Sequence, residues 1–379
     1  MSNVSSAAVL ERAGWARSVG GVNPYLTLFG RAGISREEVD RAAANLELCE
    51  LPSARGCTYV VPRSDYALAL KVGRSDGDSP DIKTAKKYLG VTDRELDRLA
   101  EQVLTVLEDG PKDPAALKDC LGEVVRNLGA EGKKRGMTTT LPLVIGRLQS
   151  LGEVRRQPVN GRLDQQRYSY ARWTDSPLRS FRLSFAEAYT ELARRYFRFA
   201  GPASLAHFRW FSGLGAAAAK TAVASLGLVP IEAGSELLIF PDELSQLHSF
   251  VVPKDPVYRL VASLDGVVLH RREVAPLCDP ADLNRKVYGD RGVVELGGLG
   301  DLSSHPILDR GRLIGLWEYE PASGSIVSTS FVKQTPLLRS EIDRTTAFVR
   351  DQLGDARSFS LDSPESRQPR IDALRAAAT

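Results

Sequence analysis

Between Glu131 and Trp173 the chain carries nine lysines and arginines against three acidic residues, a local charge of +6 in a protein whose net charge is only +3. Lys133, Lys134 and Arg135 lie in a GKKRG stretch, and Arg147 lies on the helical text that follows. Arg155, Arg156, Arg162, Arg167 and Arg172 flank an Asn160-Gly161 pair. Phosphate contact requires forked or mobile cations presented together, and this spacing presents them. The competing reading is a solvated hairpin whose charges protect its sheet edges. Concentrated charge in an almost neutral chain favours a polyanion. Tyr168, Tyr170 and Trp173 lie among these cations, where packing against the hairpin's own helices competes with stacking on an unpaired base.

Other chemistries find less support. The four cysteines (Cys49, Cys57, Cys120, Cys278) have no C-x-x-C spacing, and the four histidines (His207, His248, His270, His305) are far apart. Neither set has the spacing of a zinc site, so no metal and no cofactor are expected. No nucleophile elbow, Walker loop or dinucleotide fingerprint occurs. GLGAAAAK, from Gly213 to Lys220, has the wrong glycine spacing for a phosphate loop and reads as tight helix packing. Asp65, Asp265, Asp309 and Glu318 stand beside apolar text, and paired carboxylates can hydrolyse a glycosidic bond, but sequence alone pairs none of them. The chain has neither a basic leader with an apolar run nor a stretch of 18 apolar residues. The expectation is a cytoplasmic protein with reduced thiols and no membrane partner.

These residues need elements to position them, and a chain of 379 residues exceeds one ordinary core. Capping boxes open helices at Ser35–Glu38, Thr92–Glu95 and Ser184–Glu187, and Asp113-Pro114 reads as an N-cap followed by proline. Each helix-rich segment ends in a pair of β-like runs. The clearest pair spans 153–159 and 162–173 around a two-residue Asn160-Gly161 turn. From Tyr258 onward, short β-like runs such as YRLVASL, VVLHRR, GVVEL and RLIGLWEYE alternate with Gly, Pro and Asp.

The expected fold class is α+β: three tandem winged-helix modules followed by a small antiparallel β-barrel-like domain. The boundaries fall at 1–72, 85–175, 182–252 and 256–354, the last with a closing helix. Residues 355–379, rich in Ser, Arg and Asp, are expected to be disordered. In a winged helix the third helix can enter a major groove while the hairpin touches phosphates or the minor groove.

The order and spacing of four stretches resemble the AlkZ-like, YcaQ-related family of bacterial DNA glycosylases. They are PYLTLFGRAG (Pro24 to Gly33), RGCTYVVPRSDYALAL (Arg55 to Leu70), GPASLAHFRWFSGL (Gly201 to Leu214) and HPILDRGRLIGLWEY (His305 to Tyr319). The resemblance implies tandem winged helices finished by a β-barrel, and hydrolysis of the N-glycosidic bond to an alkylated or crosslinked purine without a metal. It also implies a catalytic Gln-x-Gln or Gln-x-Asp just upstream of the stretch matching PYLTLFGR. This sequence departs there: it reads ERAGWARSVGGVNPYL, and the first glutamine in the chain is Gln102. Asn23 is the amide in that region and Glu11 its carboxylate, so these two are the candidates to hold the water.

Three functions compete. The first is a repair glycosylase on damaged duplex DNA, with Asn23 or Glu11 at the bond and the hairpin cations, Arg271 and Arg272 on the backbone; a damaged base is cheaper to unstack. The second is a non-catalytic winged-helix DNA-binding protein, a regulator or lesion binder. The third is a structural protein with no nucleic-acid partner. A monomer is expected in each case.

Overall fold

The computed structural model describes residues 4–74, 77–290 and 292–378. Ser75 and Asp76, within the Gly-, Ser- and Asp-rich stretch 73–81 whose composition predicts a loop, lie outside the described residues. The first unit holds helices Ser6–Ala13, Asn23–Ala32 and Arg36–Ala44 around a three-stranded antiparallel sheet. In that sheet Thr58–Pro62 is central, with Ala16–Arg17 and Leu48–Pro52 at its edges. Local sequence sets the helix ends. Ser35 and Glu38 form the reciprocal capping box, Pro24 sits in a first turn where its missing N–H is harmless, and Gly33 ends that helix at φ +70°.

The helix Asn23–Ala32 is buried from Asn23 to Gly30, so it runs through the middle of the protein rather than along its surface. Its apolar residues share one core with Leu163, Ile307, Trp317 and Phe348, and Phe29 stacks on Phe348 at 3.8 Å. The opposite side of the first unit shares a second core with the third unit, where Trp15 and Tyr59 meet Phe211 and its neighbours.

The second unit has its own core. Its helices are Pro80–Leu89, Asp93–Val106, Pro114–Leu121, Gly129–Lys134 and Leu141–Ser150. The hairpin that follows pairs Val154–Pro158 with Tyr168–Arg172. It differs from the expected two-residue turn. The strands part at Pro158 and Tyr168, and residues 159–167 form a long loop. Tertiary contacts override the Asn-Gly signal: Leu163 is buried, and its N–H donates to the Tyr25 hydroxyl at 2.9 Å. That bond fastens the loop to the central helix.

The third unit comprises helices Phe185–Ala200, Leu205–Ser212 and Ala216–Val223, then a short pair, Val229–Pro230 with Leu238–Ile239, and helix Pro241–Ser249. The β-rich part is an open four-stranded antiparallel sheet in the order Ser325–Ser330, Arg312–Glu320, His305–Asp309, Tyr258–Leu260. A separate hairpin joins Lys286–Gly289 to Gly292–Glu295. The expected barrel is therefore not closed. Helix Pro336–Phe348 packs on the short Tyr258–Leu260 edge and helix Pro364–Ala378 packs on Ser325–Ser330, so both margins are covered by helices instead of by each other. VVLHRR, read as β-like, supplies the short helix Gly266–Leu269, capped by the Asp265 side chain.

The segment after Gly354 corrects a second expectation. It crosses the protein as an extended strap and ends in helix Pro364–Ala378. Ala356, Ser358, Asp362, Arg367, Ile371 and Leu374 are all buried there. Its polar composition resembles that of a disordered tail, but the charges find partners inside. Arg367 pairs with Asp355 at 2.7 Å, and Arg370 pairs with Asp362 at 2.7 Å and Glu318 at 2.8 Å.

Candidate functional site

The stretch Ser18–Val22, just upstream of the residues matching PYLTLFGR, lies under the strap. The Val22 N–H donates to the Arg357 carbonyl at 3.0 Å, and the Ser360 N–H donates to the Val19 carbonyl at 2.9 Å. A Cβ at Gly21 would lie 2.0 Å from the Ser358 carbonyl oxygen. Gly20 takes φ +77°, and a Cβ there would lie 2.9 Å from both Gln166 Cγ and Ser360 Cβ. The Gly-Gly pair is a requirement of this close approach. At positions 20 and 21 a side chain would collide with Gln166 and the strap.

Asn23 opens the central helix at 1 % exposure. Its Nδ2 donates to the Arg17 carbonyl at 2.8 Å, and its Oδ1 accepts from the Thr27 hydroxyl at 3.3 Å, a hydroxyl that also reaches Asp265 at 2.9 Å. Asp265 receives Arg31 in a two-pronged pair at 2.6 and 2.7 Å and caps the Val267 N–H at 3.0 Å. Burial by itself would raise the Asp265 carboxyl; the Arg31 charge and hydrogen bonds outweigh it and hold the pKa below the ordinary carboxylate range. Asn23 is thus a brace joining the first unit to the β-rich part, with its amide already engaged. Glu11 is exposed, accepts from the Ser64 hydroxyl at 2.9 Å and shares no partner with Asn23. The two candidates are not brought together.

The remaining carboxylates do not form an acid pair either. Asp65 holds the Trp15 indole at 2.8 Å, Asp309 holds Arg310 at 2.8 Å and the Val257 N–H at 2.9 Å, and Glu318 holds Arg370. His305 accepts the Ser263 N–H on Nδ1 at 2.9 Å, so its Nε2 carries the proton and donates to the Ala356 carbonyl at 2.8 Å. Burial lowers its pKa to about 4, which keeps the ring neutral and suits it to a strut beneath the strap. Among the described residues no group of His, Cys, Asp and Glu could hold a metal, and no helix is long and apolar enough to cross a membrane.

The hairpin cations divide sharply. Arg155 lies over Trp173 and donates to Gln157 at 2.7 Å. Arg156, whose side chain is 11 % exposed, lies over Tyr168 with Nη2 3.9 Å from Glu50. Glu50 in turn accepts from the Ser18 hydroxyl at 2.5 Å and the Tyr168 hydroxyl at 2.9 Å. Arg156 fastens the hairpin to the first unit through Glu50, while the Arg155 contacts stay within the hairpin. Arg162 grips Asp164 and the Leu353 carbonyl. Arg271 donates to the Ala200 carbonyl at 2.9 Å, and Arg272 pairs with Asp301 at 3.2 Å.

Arg147 with Asp97, Arg172 with Glu108, and Lys134 and Arg135 with Glu131 form more open pairs. Exposed pairs of that kind contribute about 0–1 kcal/mol and exchange readily for phosphate. Among the described residues, Lys133 and Arg167 are exposed candidates with no ion-pair partner. Two features carried no signal of their own in the sequence: Gln166, whose carboxamide lies over Gly20, and the strap. The adjacent glycines at 20 and 21 were the available sign of a close approach.

A family model described as DNA glycosylase AlkZ-like matches residues 20–349. The solved structure of Streptomyces sahachiroi DNA glycosylase AlkZ superposes with a TM-score of 0.64 at 20 % identity, covering 93 % of this chain and 92 % of that one. No curated protein matches the chain.

Proposed function

From the premise that the chain belongs to the AlkZ-like DNA glycosylase family, we propose that it is a DNA-repair hydrolase acting on the N-glycosidic bond of an alkylated or crosslinked purine in duplex DNA. The observation that carries this reading is the family match across residues 20–349 together with a fold match of nearly full length. The three helix-and-hairpin units are read as winged helices, and the protein as a cytoplasmic monomer working without a cofactor. Alkylation gives the purine a positive charge, so the base leaves as a neutral molecule. The protein's task is then to hold the duplex, position a water and stabilise the sugar cation.

For the duplex, the geometry favours Lys133 and Arg167 first. Lys134, Arg135, Arg147 and Arg172 follow, because each can exchange an exposed carboxylate for a phosphate. Arg156 serves the hairpin's attachment, and Arg155 packs within the hairpin.

A second reading, a lesion-binding protein without hydrolysis, has one specific observation behind it: the strap covers the glycines just upstream of the residues matching PYLTLFGR. A duplex carrying 7-methylguanine, incubated with the protein and then treated with alkali, separates the two. Strand cleavage is the expected result; salt-sensitive binding without cleavage would favour the second reading.

A further inference from the structure

The strongest unexplained group is Gln166. It lies in the loop 159–167, which is fastened at three points. Leu163 donates its N–H to Tyr25, Arg162 donates to the Leu353 carbonyl at 2.9 Å, and Arg357 of the strap donates to the Asp164 carbonyl at 2.5 Å. At the end of this bolted loop Gln166 adopts φ +46°, a left-handed conformation that glycine takes freely and glutamine rarely does. Such conformations persist where the surroundings over-determine them, and they concentrate at functional sites.

The side chain crosses directly over the Gly20 backbone. A Cβ on Gly20 would be 2.9 Å from Gln166 Cγ and 3.2 Å from its Cδ, so only glycine at position 20 leaves room for this carboxamide. Gln166 is exposed, and its amide has no hydrogen-bond partner among the described residues. Arg167 beside it is exposed and without an ion pair. The strap residues flanking Ser360, which touches the same spot, turn apolar side chains outward: Phe359 is 42 % and Leu361 82 % exposed. An unpartnered carboxamide thus lies over Gly20, with a cation lacking an ion pair next to it in the chain and exposed apolar residues on either side of Ser360.

We propose that Gln166 is the catalytic carboxamide of this protein, delivered in space from the hairpin loop because the sequence just upstream of Pro24 lacks one. The inference rests on the glycosylase reading above. In the reaction the bond from C1′ to the purine nitrogen breaks, and its electron pair leaves with the base. Water adds its oxygen to C1′ and releases a proton to solvent. The Gln166 Oε1 accepts a hydrogen bond from that water and faces the sugar cation. It is never itself protonated, since a carboxamide is not basic enough to hold the proton.

The test uses the full chain, a 7-methylguanine duplex and a duplex carrying a cationic azasugar at the lesion position. Gln166→Ala removes the amide; Gln166→Gly also removes it and suits the left-handed backbone, so loss of fold does not obscure the result. Wild-type protein is expected to excise the base, with both variants slower by roughly 100-fold at unchanged affinity for undamaged duplex. Variants that excise at the wild-type rate overturn the role of Gln166 and leave the glycosylase reading standing. A wild-type protein that neither excises nor prefers the azasugar duplex overturns both. Should wild type prefer the azasugar duplex without excising, loss of that preference in Gln166→Gly supports the contact while overturning the hydrolysis, and its retention overturns the contact too.

Discussion

Arg370 of the C-terminal helix lies 2.8 Å from Glu318 on the longest strand of the sheet, with side chains 11 % and 1 % exposed. Burial raises the Glu318 pKa from 4.5 to about 7, against the opposing pull of Arg370. A carboxyl raised in the folded state binds its proton more tightly there than in the unfolded chain. Its contribution is therefore fully present below about pH 4.5 and is lost as pH rises through about 7. Urea midpoints measured from pH 4 to 8 should show Glu318→Gln flattening that decline; parallel curves for the two proteins would contradict it.

The close approach of Gly21 to the strap yields a second expectation. Gly21→Ala puts a methyl group into the Ser358 carbonyl, which is backbone and cannot swing aside. Overpacking of this kind costs about 2 kcal/mol, and here the yielding partner is the strap. The variant should unfold at lower denaturant and be cut by protease within 355–363 under conditions where the parent is intact. Equal resistance of the two proteins would show that the strap does not need the glycine.

Two kinds of cation predict two kinds of loss. Lys133→Ala with Arg167→Ala removes unpaired surface charges, so stability should hold. Duplex affinity should fall, and the slope of log K against log salt should shallow by about 2, one for each phosphate no longer neutralised. Arg156→Ala strands Glu50 in the interior and should cost about 3 kcal/mol of stability. A salt slope unchanged in the first variant, or full stability in the second, would reverse these assignments.

The sequence made the helices legible because their signals are local. Ser35–Glu38 and Ser184–Glu187 close as reciprocal capping boxes, and Asp113 caps the helix that Pro114 begins. The site was less legible because its geometry depends on long-range partners. Asn160-Gly161 signals a tight turn, yet the burial of Leu163 against the central helix outweighs a two-residue preference and pulls the loop open. The local excess of arginine was real, but composition does not say which way a side chain faces. Arg156 points to Glu50, over a hundred positions earlier in the chain, and nothing in its neighbours announces that. The polar text after Gly354 conceals the same kind of information, since Arg367 is buried only because Asp355 and the sheet receive it.

The pairing of Val19 and Val22 with Ser360 and Arg357 has a consequence for the order of assembly. During synthesis the early strip waits, its N–H and carbonyl groups satisfied only by water, until the ribosome has released residue 360. The second unit, whose core is its own, can fold in the meantime. The surface where Gln166 meets Gly20 is therefore among the last parts to take shape, and a chain truncated before the strap would carry the loop without the floor it rests on.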